Sequence, residues 1–427
     1  MRRGTLALGL ALLVGCGSRT GLAIPDAPTE DAGAPTPDAG DDAGAPDAGV
    51  DAGPPIDPDP DPCVVIPAGP VPTTFDVSFT ARIVAADLVF LVDNTSSMGT
   101  LIREVQDTLR ARLIPALAAA IPDLQMAVAI YRDFGFSPYG SFGDTPIEVL
   151  QASTSDVDLL EGAVDRMAER GGGDLPESAT EALYQLATGE GLEPFIAPVA
   201  CPDAGIGAAC LRADAVPIVV LFTDAPFHNG PSLPGSYVGV DPAPHGYPAT
   251  LAALEQHGFR VLGLLAALTI MGQRARDDLE IVARDTGAVT PDGEPIVFDL
   301  GGGRRPAASH VIRAVEELVD ETTIDVEPVA EDLPGDAVDA TRFVRSAVPL
   351  AATPTDGATI EGGRFVSVTP GTRVTYRFTV VNDTVAPGPV EQRFGLRLVL
   401  RDAGGATLTS RDVELIVPSI DGTGSCG

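Results

Sequence analysis

The chain has 427 residues, 44% of them hydrophobic, which is enough for real cores and, at roughly 100–200 residues each, for two or three domains. Its net charge is −33, from 60 acids against 27 bases, and every base is arginine, since the chain has no lysine. A surface that negative repels phosphate backbones and argues against a nucleic-acid partner. Aromatics at 5% and the absence of tryptophan argue against a stacking platform for bases or sugars.

The amino terminus fixes the expected compartment. Arg2 and Arg3 precede an apolar run from Leu6 to Val14, too short to span a bilayer but suited to a secretory signal over residues 1–15. The run ends in Leu13-Val14-Gly15-Cys16. This resembles the lipobox of bacterial lipoproteins, which implies cleavage before Cys16 and acylation of that cysteine. Several acyl chains anchor stably where one gives marginal binding. Gly17 in place of aspartate favours the outer membrane of a Gram-negative envelope. From Cys16 to Pro62 a short Asp/Ala/Gly/Pro unit repeats, and through Pro62 the chain holds eleven acids against three arginines. Proline, glycine and like charges oppose packing, so this acidic stretch is expected to be an extended, disordered tether. Asp57, Asp59 and Asp61 lack the glycine and glutamate of a calcium loop and read as charged spacer.

From about Phe75 to Thr323 strands and helices alternate. The continuous apolar runs Leu88–Val92, Met126–Ile130, Pro217–Phe222 and Val261–Leu265 predict strands buried on both faces. Between them Ile102, Val105, Leu109 and Leu113 line one helical face, which Pro115 should kink or divide. Val157, Leu160, Val164 and Met167 line a second, with Ser155 and Asp158 as its expected capping pair. Ala179, Ala182, Leu183 and Leu186 mark another, and helices near Arg274–Arg284 and Ser309–Glu321 close the unit. Such alternation predicts an α/β fold, a doubly wound, mainly parallel sheet over 63–325, with ligands at the carboxyl ends of its strands.

Oxygen-bearing residues sit at those ends. The first run leads into Asp93-Asn94-Thr95-Ser96-Ser97, and the third into Thr223-Asp224-Ala225-Pro226-Phe227-His228. Between them Gly171-Gly172-Gly173-Asp174-Leu175-Pro176-Glu177 opens a helix. Carboxylates and hydroxyls from separate loops suit a hard cation, and so few protein oxygens suit octahedral Mg²⁺ better than a Ca²⁺ shell, with Mn²⁺ or Ca²⁺ as alternatives.

These residues resemble the von Willebrand factor A (vWA) family. Asp93-x-Thr95-x-Ser97 matches its metal-ion-dependent adhesion site, and the Asp174–Glu177 and Thr223–Ala225 loops look most like the I-like domain of integrin β-subunits. The resemblance implies that Asp93, Thr95, Ser97, Glu177 and Asp224 hold the metal directly or through water, with one position left for a partner's carboxylate. Thr180 competes with Glu177 for the middle position. Two departures stand out. Thr100 and Leu101 replace the paired aspartates of the family's adjacent regulatory ion, and Gly172 replaces the asparagine that would join Asp174 in the other neighbouring site. His228 reads as a loop-packing or cap residue.

After Thr323 the helical period gives way to alternation, at Val374 to Val380, Phe394 to Leu400 and Val413 to Val417, with a turn at Asp402–Gly405. Residues 326–427 are therefore expected to form a small antiparallel β-sandwich. Four cysteines besides Cys16 allow three pairings. Cys201 and Cys210 flank one loop. Cys63 and Cys426 bracket the folded region, and their pairing would return the β-module's end to the base of the α/β unit. Export permits both links.

The function these features point to is a lipid-anchored envelope protein that binds a protein or other carboxylate-bearing ligand through Mg²⁺. An envelope assembly or scaffolding factor using the same metal is the alternative. A metal-dependent enzyme is a further one, but no general base, nucleophile, zinc-protease histidine pair or phosphate-binding loop accompanies the site, so no enzyme activity is expected.

Overall fold

The computed structural model describes residues 62–232, 235–266, 270–300, 306–336 and 338–426. The signal segment, Cys16 and nearly all of the acidic tether lie outside them. Two strands open this part of the chain, β1 (Cys63–Val65) and β2 (Gly69–Thr80). The alternating segment follows: β3 (Ala85–Asp93), α1 (Gly99–Thr108), α2 (Ile114–Ala120), β4 (Asp123–Tyr131), β5 (Glu148–Thr154), α3 (Val157–Val164) and α4 (Ala179–Thr188). It continues through β6 (Val216–Thr223), α5 (Tyr247–Gln256), β7 (Arg260–Leu265), α6 (Ile270–Asp285), β8 (Val297–Asp299) and α7 (Ala307–Glu321).

Its six strands lie in the order β5-β4-β3-β6-β7-β8. All neighbours are parallel except β5, which runs antiparallel at the edge. The apolar run of β3 serves both faces. Leu88, Phe90 and Val92 pack in one layer with Val105, Val311 and Val315, while Val89 and Leu91 pack in the other with Leu183, Leu254 and Leu279. The first strand of the sheet, β3, thus has β4 on one side and β6 on the other. Strand order reverses between β3 and β6, which opens a crevice at their carboxyl ends where such folds bind ligands.

Pro115 acts as the sequence implies. It has no N–H to donate and its ring crowds the carbonyl four residues back, so the helix widens into a π-turn over 109–113 before α2 begins. The cap of α3 differs from expectation. Asp156, rather than Ser155, accepts from the amides of Asp158 and Leu159 at 3.0 and 3.3 Å.

The last third is β9 (Ile324–Asp332), β10 (Val344–Thr353), β11 (Thr359–Glu361), β12 (Arg364–Val368), β13 (Arg373–Asn382), β14 (Gln392–Asp402) and β15 (Thr407–Val417). They form two sheets, β1-β15-β14-β9-β12-β11 and β10-β13-β2. The expected sandwich is present, but its membership is corrected at the amino end. Residues 63–80, placed by the sequence reading in the α/β unit, pair instead with β15 and β13. The α/β segment is therefore inserted between the first two strands of the sandwich and the rest. Tyr376 of β13 packs edge-on against Phe365 at 5.1 Å and donates to the Val326 carbonyl at 2.9 Å, so its buried hydroxyl is satisfied.

The sandwich meets the α/β sheet at the amino ends of its strands. Thr407 donates to the Asp214 carbonyl just before β6, and the β14–β15 turn lies against Gly258 just before β7. Both expected disulfides are present, Cys63–Cys426 and Cys201–Cys210. The first is not at the α/β base. Cys63 pairs in register with Glu414, seven residues beyond Thr407 and about 24 Å along the strand, so the link closes the free end of the sandwich. Among the described residues no helix is long and apolar enough to cross a membrane.

Candidate metal centre

The rim at the β3/β6 switch point gathers the three loops that the sequence singles out. Asp93 ends β3 fully buried. Its Oδ1 accepts from the Thr95 amide at 3.0 Å and the Thr95 hydroxyl at 2.7 Å, which folds the loop into a tight turn. Its Oδ2 accepts from the Thr223 hydroxyl at 3.1 Å, so the β3 and β6 loops are tied through one carboxylate. Ser97 Oγ lies 3.2 Å from Thr95 Oγ1 and donates to Asp224.

Glu177 enters from the loop before α4. Its amide donates to the Pro226 carbonyl at 2.9 Å and its carbonyl accepts from the His228 amide at 2.8 Å, which fixes it against the β6 loop. The preceding glycines make room. Gly171 and Gly172 adopt φ of +72° and +90°, which side chains with a Cβ rarely tolerate. A Cβ on Gly171 would lie 2.1 Å from Asp144. Asp144 accepts from the amides of Gly172 and Ser141 at 3.0 and 2.8 Å and pairs with the buried Arg132 at 3.2 Å. This buried pair braces the glycine loop from beneath.

Charge accumulates here without relief. Burial, and then the charges of Asp93, Asp133, Asp174 and Asp224, push the Glu177 carboxyl up to about 10. Burial and the Asp224 charge raise Asp93 to about 6 against the opposing bonds from Thr95 and Thr223. Burial raises Asp224 while the Ser97 bond opposes it. Glu177 Oε2 is buried with no hydrogen-bond partner, an orphan that costs free energy unless a cation satisfies it. A hard divalent ion fits this donor set of carboxylates and hydroxyls. Asp93, Thr95, Ser97, Glu177 and Asp224 are thus brought to one rim. Thr180 lies just below in α4, where its buried hydroxyl likewise has no partner.

The sequence reading missed Asp133 and Arg132. Both follow β4 directly, so a carboxylate at the carboxyl end of a buried strand, the signal that marks Asp93 and Asp224, would have found Asp133. His228 does tie loops together, through its amide and through Nδ1 at 2.7 Å from the Gly235 carbonyl. Its Nε2, however, faces Asp174 at 3.2 Å and Asp133 at 3.4 Å.

The α/β segment is a doubly wound, mainly parallel sheet with its acidic loops gathered at the switch point between β3 and β6. No family model matches the chain, and no curated protein does. Similar solved structures include a von Willebrand factor type A protein from Catenulispora acidiphila, with 14% identity and a TM-score of 0.37, covering 84% of this chain and 73% of that one. The pilus adhesin SpaC from Lactobacillus rhamnosus GG is 13% identical with a TM-score of 0.35, over 80% of this chain and 45% of the adhesin. The SpRpn10 VWA domain is 12% identical with a TM-score of 0.30, over 53% of this chain and 94% of the domain. This chain spans less than half the length of the adhesin.

Proposed function

We propose that the chain is a lipid-anchored envelope protein whose α/β segment binds a partner carboxylate through Mg²⁺ at the β3/β6 rim. The observation that carries this reading is the buried, partnerless Glu177 Oε2 on a rim where five carboxylates press on one another. Such an arrangement holds a cation or protonates, and the hydroxyls of Thr95 and Ser97 beside it are ligand types for a hard ion. Asp93 is the organiser, because both of its oxygens are already engaged in orienting Thr95 and Thr223. The ion would supply a Lewis-acidic anchor for an oxygen of the partner. Binding rather than catalysis is the proposal.

Anchoring through Cys16, by way of the acidic tether, places this rim in the envelope, with the outer membrane as the proposed location. The experiment is titration calorimetry of the full chain with Mg²⁺ and Mn²⁺, beside partitioning into detergent. One ion bound per chain, and detergent partitioning lost in Cys16→Ser, support the reading. A chain that takes up neither ion refutes the metal role, and unchanged partitioning of Cys16→Ser refutes the anchor.

A further inference from the structure

Three loops meet beside the metal rim, and each carries an apolar side chain out into solvent. Phe142 of the β4–β5 loop is fully exposed, Val238 of the β6–α5 loop is 80% exposed and Leu175 of the glycine loop is 45% exposed. Single exposed apolar residues are ordinary on a protein surface, but a group of them around a polar rim marks an interaction site.

The backbones that carry them are fixed to one another. Phe142 is at the tip of a turn that the Asp144 amide closes on the Ser141 carbonyl at 2.9 Å, with Gly143 at φ +92° as its second corner. Asp144 ties this turn to the glycine loop by accepting from the amides of both Ser141 and Gly172. The Ser141 hydroxyl adds a bond to the Gly172 carbonyl at 3.3 Å. A Cβ on Gly172 would stand 3.6 Å from Thr95 and 3.7 Å from Glu177, ordinary contact distances that set the glycine loop against the metal residues. The Tyr139 hydroxyl donates to the Val238 carbonyl at 2.9 Å and accepts from the Val238 amide at 2.5 Å, so the third loop is held by the first. Tyr139 packs 4.9 Å from Tyr237, and Tyr237 packs 5.0 Å from Phe134. The exposed side chains therefore stand on a rigid aromatic base.

Charge decides what kind of acid such a surface accepts. The three loops hold no lysine and one arginine, Arg132, which is already paired with Asp144. Asp133 and Asp174 add negative charge beside Glu177. A divalent ion attracts one carboxylate, whereas a polyanion brings further charges against this surface with no cation to meet them.

We propose that Phe142, Leu175 and Val238 form an apolar collar that selects a protein partner whose metal-binding aspartate or glutamate stands alone among apolar side chains. This rests on the magnesium rim proposed above, which holds the acid while the collar takes its flanks. An acidic polysaccharide supplies carboxylates, but neither the isolated charge nor the apolar neighbours.

The test is fluorescence anisotropy of the full chain in Mg²⁺ with two labelled nonapeptides, each with one central aspartate. Leucine and phenylalanine flank it in one, serine in the other. The apolar-flanked peptide should bind about tenfold tighter or more, and chelator should abolish the binding of both. Phe142→Ser with Val238→Ser, at exposed positions where circular dichroism should not change, should bring the two peptides within about twofold of each other. Equal affinities in wild type, or a preference unchanged in the double variant, would overturn the collar. So would equal binding of the apolar peptide with asparagine at its centre, or tighter binding of labelled oligogalacturonate, which would make the partner an acidic glycan. Titration with Mg²⁺ alone reads the rim separately. Uptake of the ion without peptide preference removes the collar and leaves the rim, whereas no uptake removes both.

Discussion

The rim and the sandwich treat buried polar groups in opposite ways. In the sandwich Tyr376 reaches the Val326 carbonyl, and Asn382 exchanges bonds with Val385 at 2.9 Å in both directions. Asp402 accepts from the Ala406 amide at 2.8 Å. Arg401 Nε has no partner, yet its guanidinium is ion-paired to Glu331 through another nitrogen. At the rim, Glu177, Asp133, Asp174, His228 and Asn94 all leave buried atoms unpaired. One region has spent its polar groups on holding itself together, whereas the other holds them in reserve. Unpaired buried atoms that cluster on one rim are those that a bound cation, as proposed, would satisfy.

The sharpest way to break this comparison is Asp93→Ala. It should abolish Mg²⁺ binding in calorimetry, while in chelator circular dichroism should still report the folded chain, because relief of a buried charge offsets part of the loss of the three bonds that Asp93 accepts. Saturating Mg²⁺ should then stabilise wild type alone, by about 2.7 kcal/mol at a hundred times its Kd. A variant that still binds Mg²⁺ as wild type does removes the rim assignment.

The reciprocal experiment is Phe378→Ala in the sandwich, where the ring is buried and stacked on Phe75 at 5.7 Å. A loss of about 3–5 kcal/mol is expected in denaturant melts, with Mg²⁺ affinity unchanged below the transition. A matching fall in affinity would show that the two regions are not energetically separate. Replacing Cys63 and Cys426 together by serine should cost about 2–5 kcal/mol, read by the same melts, again without touching the metal.

The smallest effect sharpens the ligand set. Thr180→Val replaces a buried hydroxyl that has no partner and should stabilise the chain by about 1 kcal/mol or leave it unchanged. Its Mg²⁺ affinity should stay within about twofold of wild type, about 0.4 kcal/mol at the tenfold-per-1.4 kcal/mol conversion. Glu177→Gln should weaken that affinity severely. The opposite pattern would make Thr180 the middle ligand.

Local pattern was enough for the elements whose burial is written into consecutive residues. The run Leu88–Val92 has no polar face, so only a strand covered on both sides accommodates it, and β3 lies between two helical layers. The same holds for Pro115, whose missing N–H disturbs the helix whatever surrounds it. Short or edge elements such as β5 and β8 carry too little apolar surface to announce themselves. Asp93, Thr95, Ser97 and Asp224 could be read as rim residues because they follow β3 and β6, whose polarity sends those positions to one rim, whereas Glu177 could be read only from its place in the glycine-rich loop that opens α4.

Partner choice was not legible. The sequence by itself determined that the chain alternates strands and helices, ends in an antiparallel module and presents acidic loops at one end of a parallel sheet. Only the tertiary structure decided that β2 joins β13 almost 300 residues away, because an alternating strand shows which of its faces is buried but not which edge it meets. Only the tertiary structure, likewise, turned His228 Nε2 toward Asp133 and Asp174. Their three loops are far apart in the chain, and what brings them together is the strand order, a property of the whole sheet rather than of any segment in it.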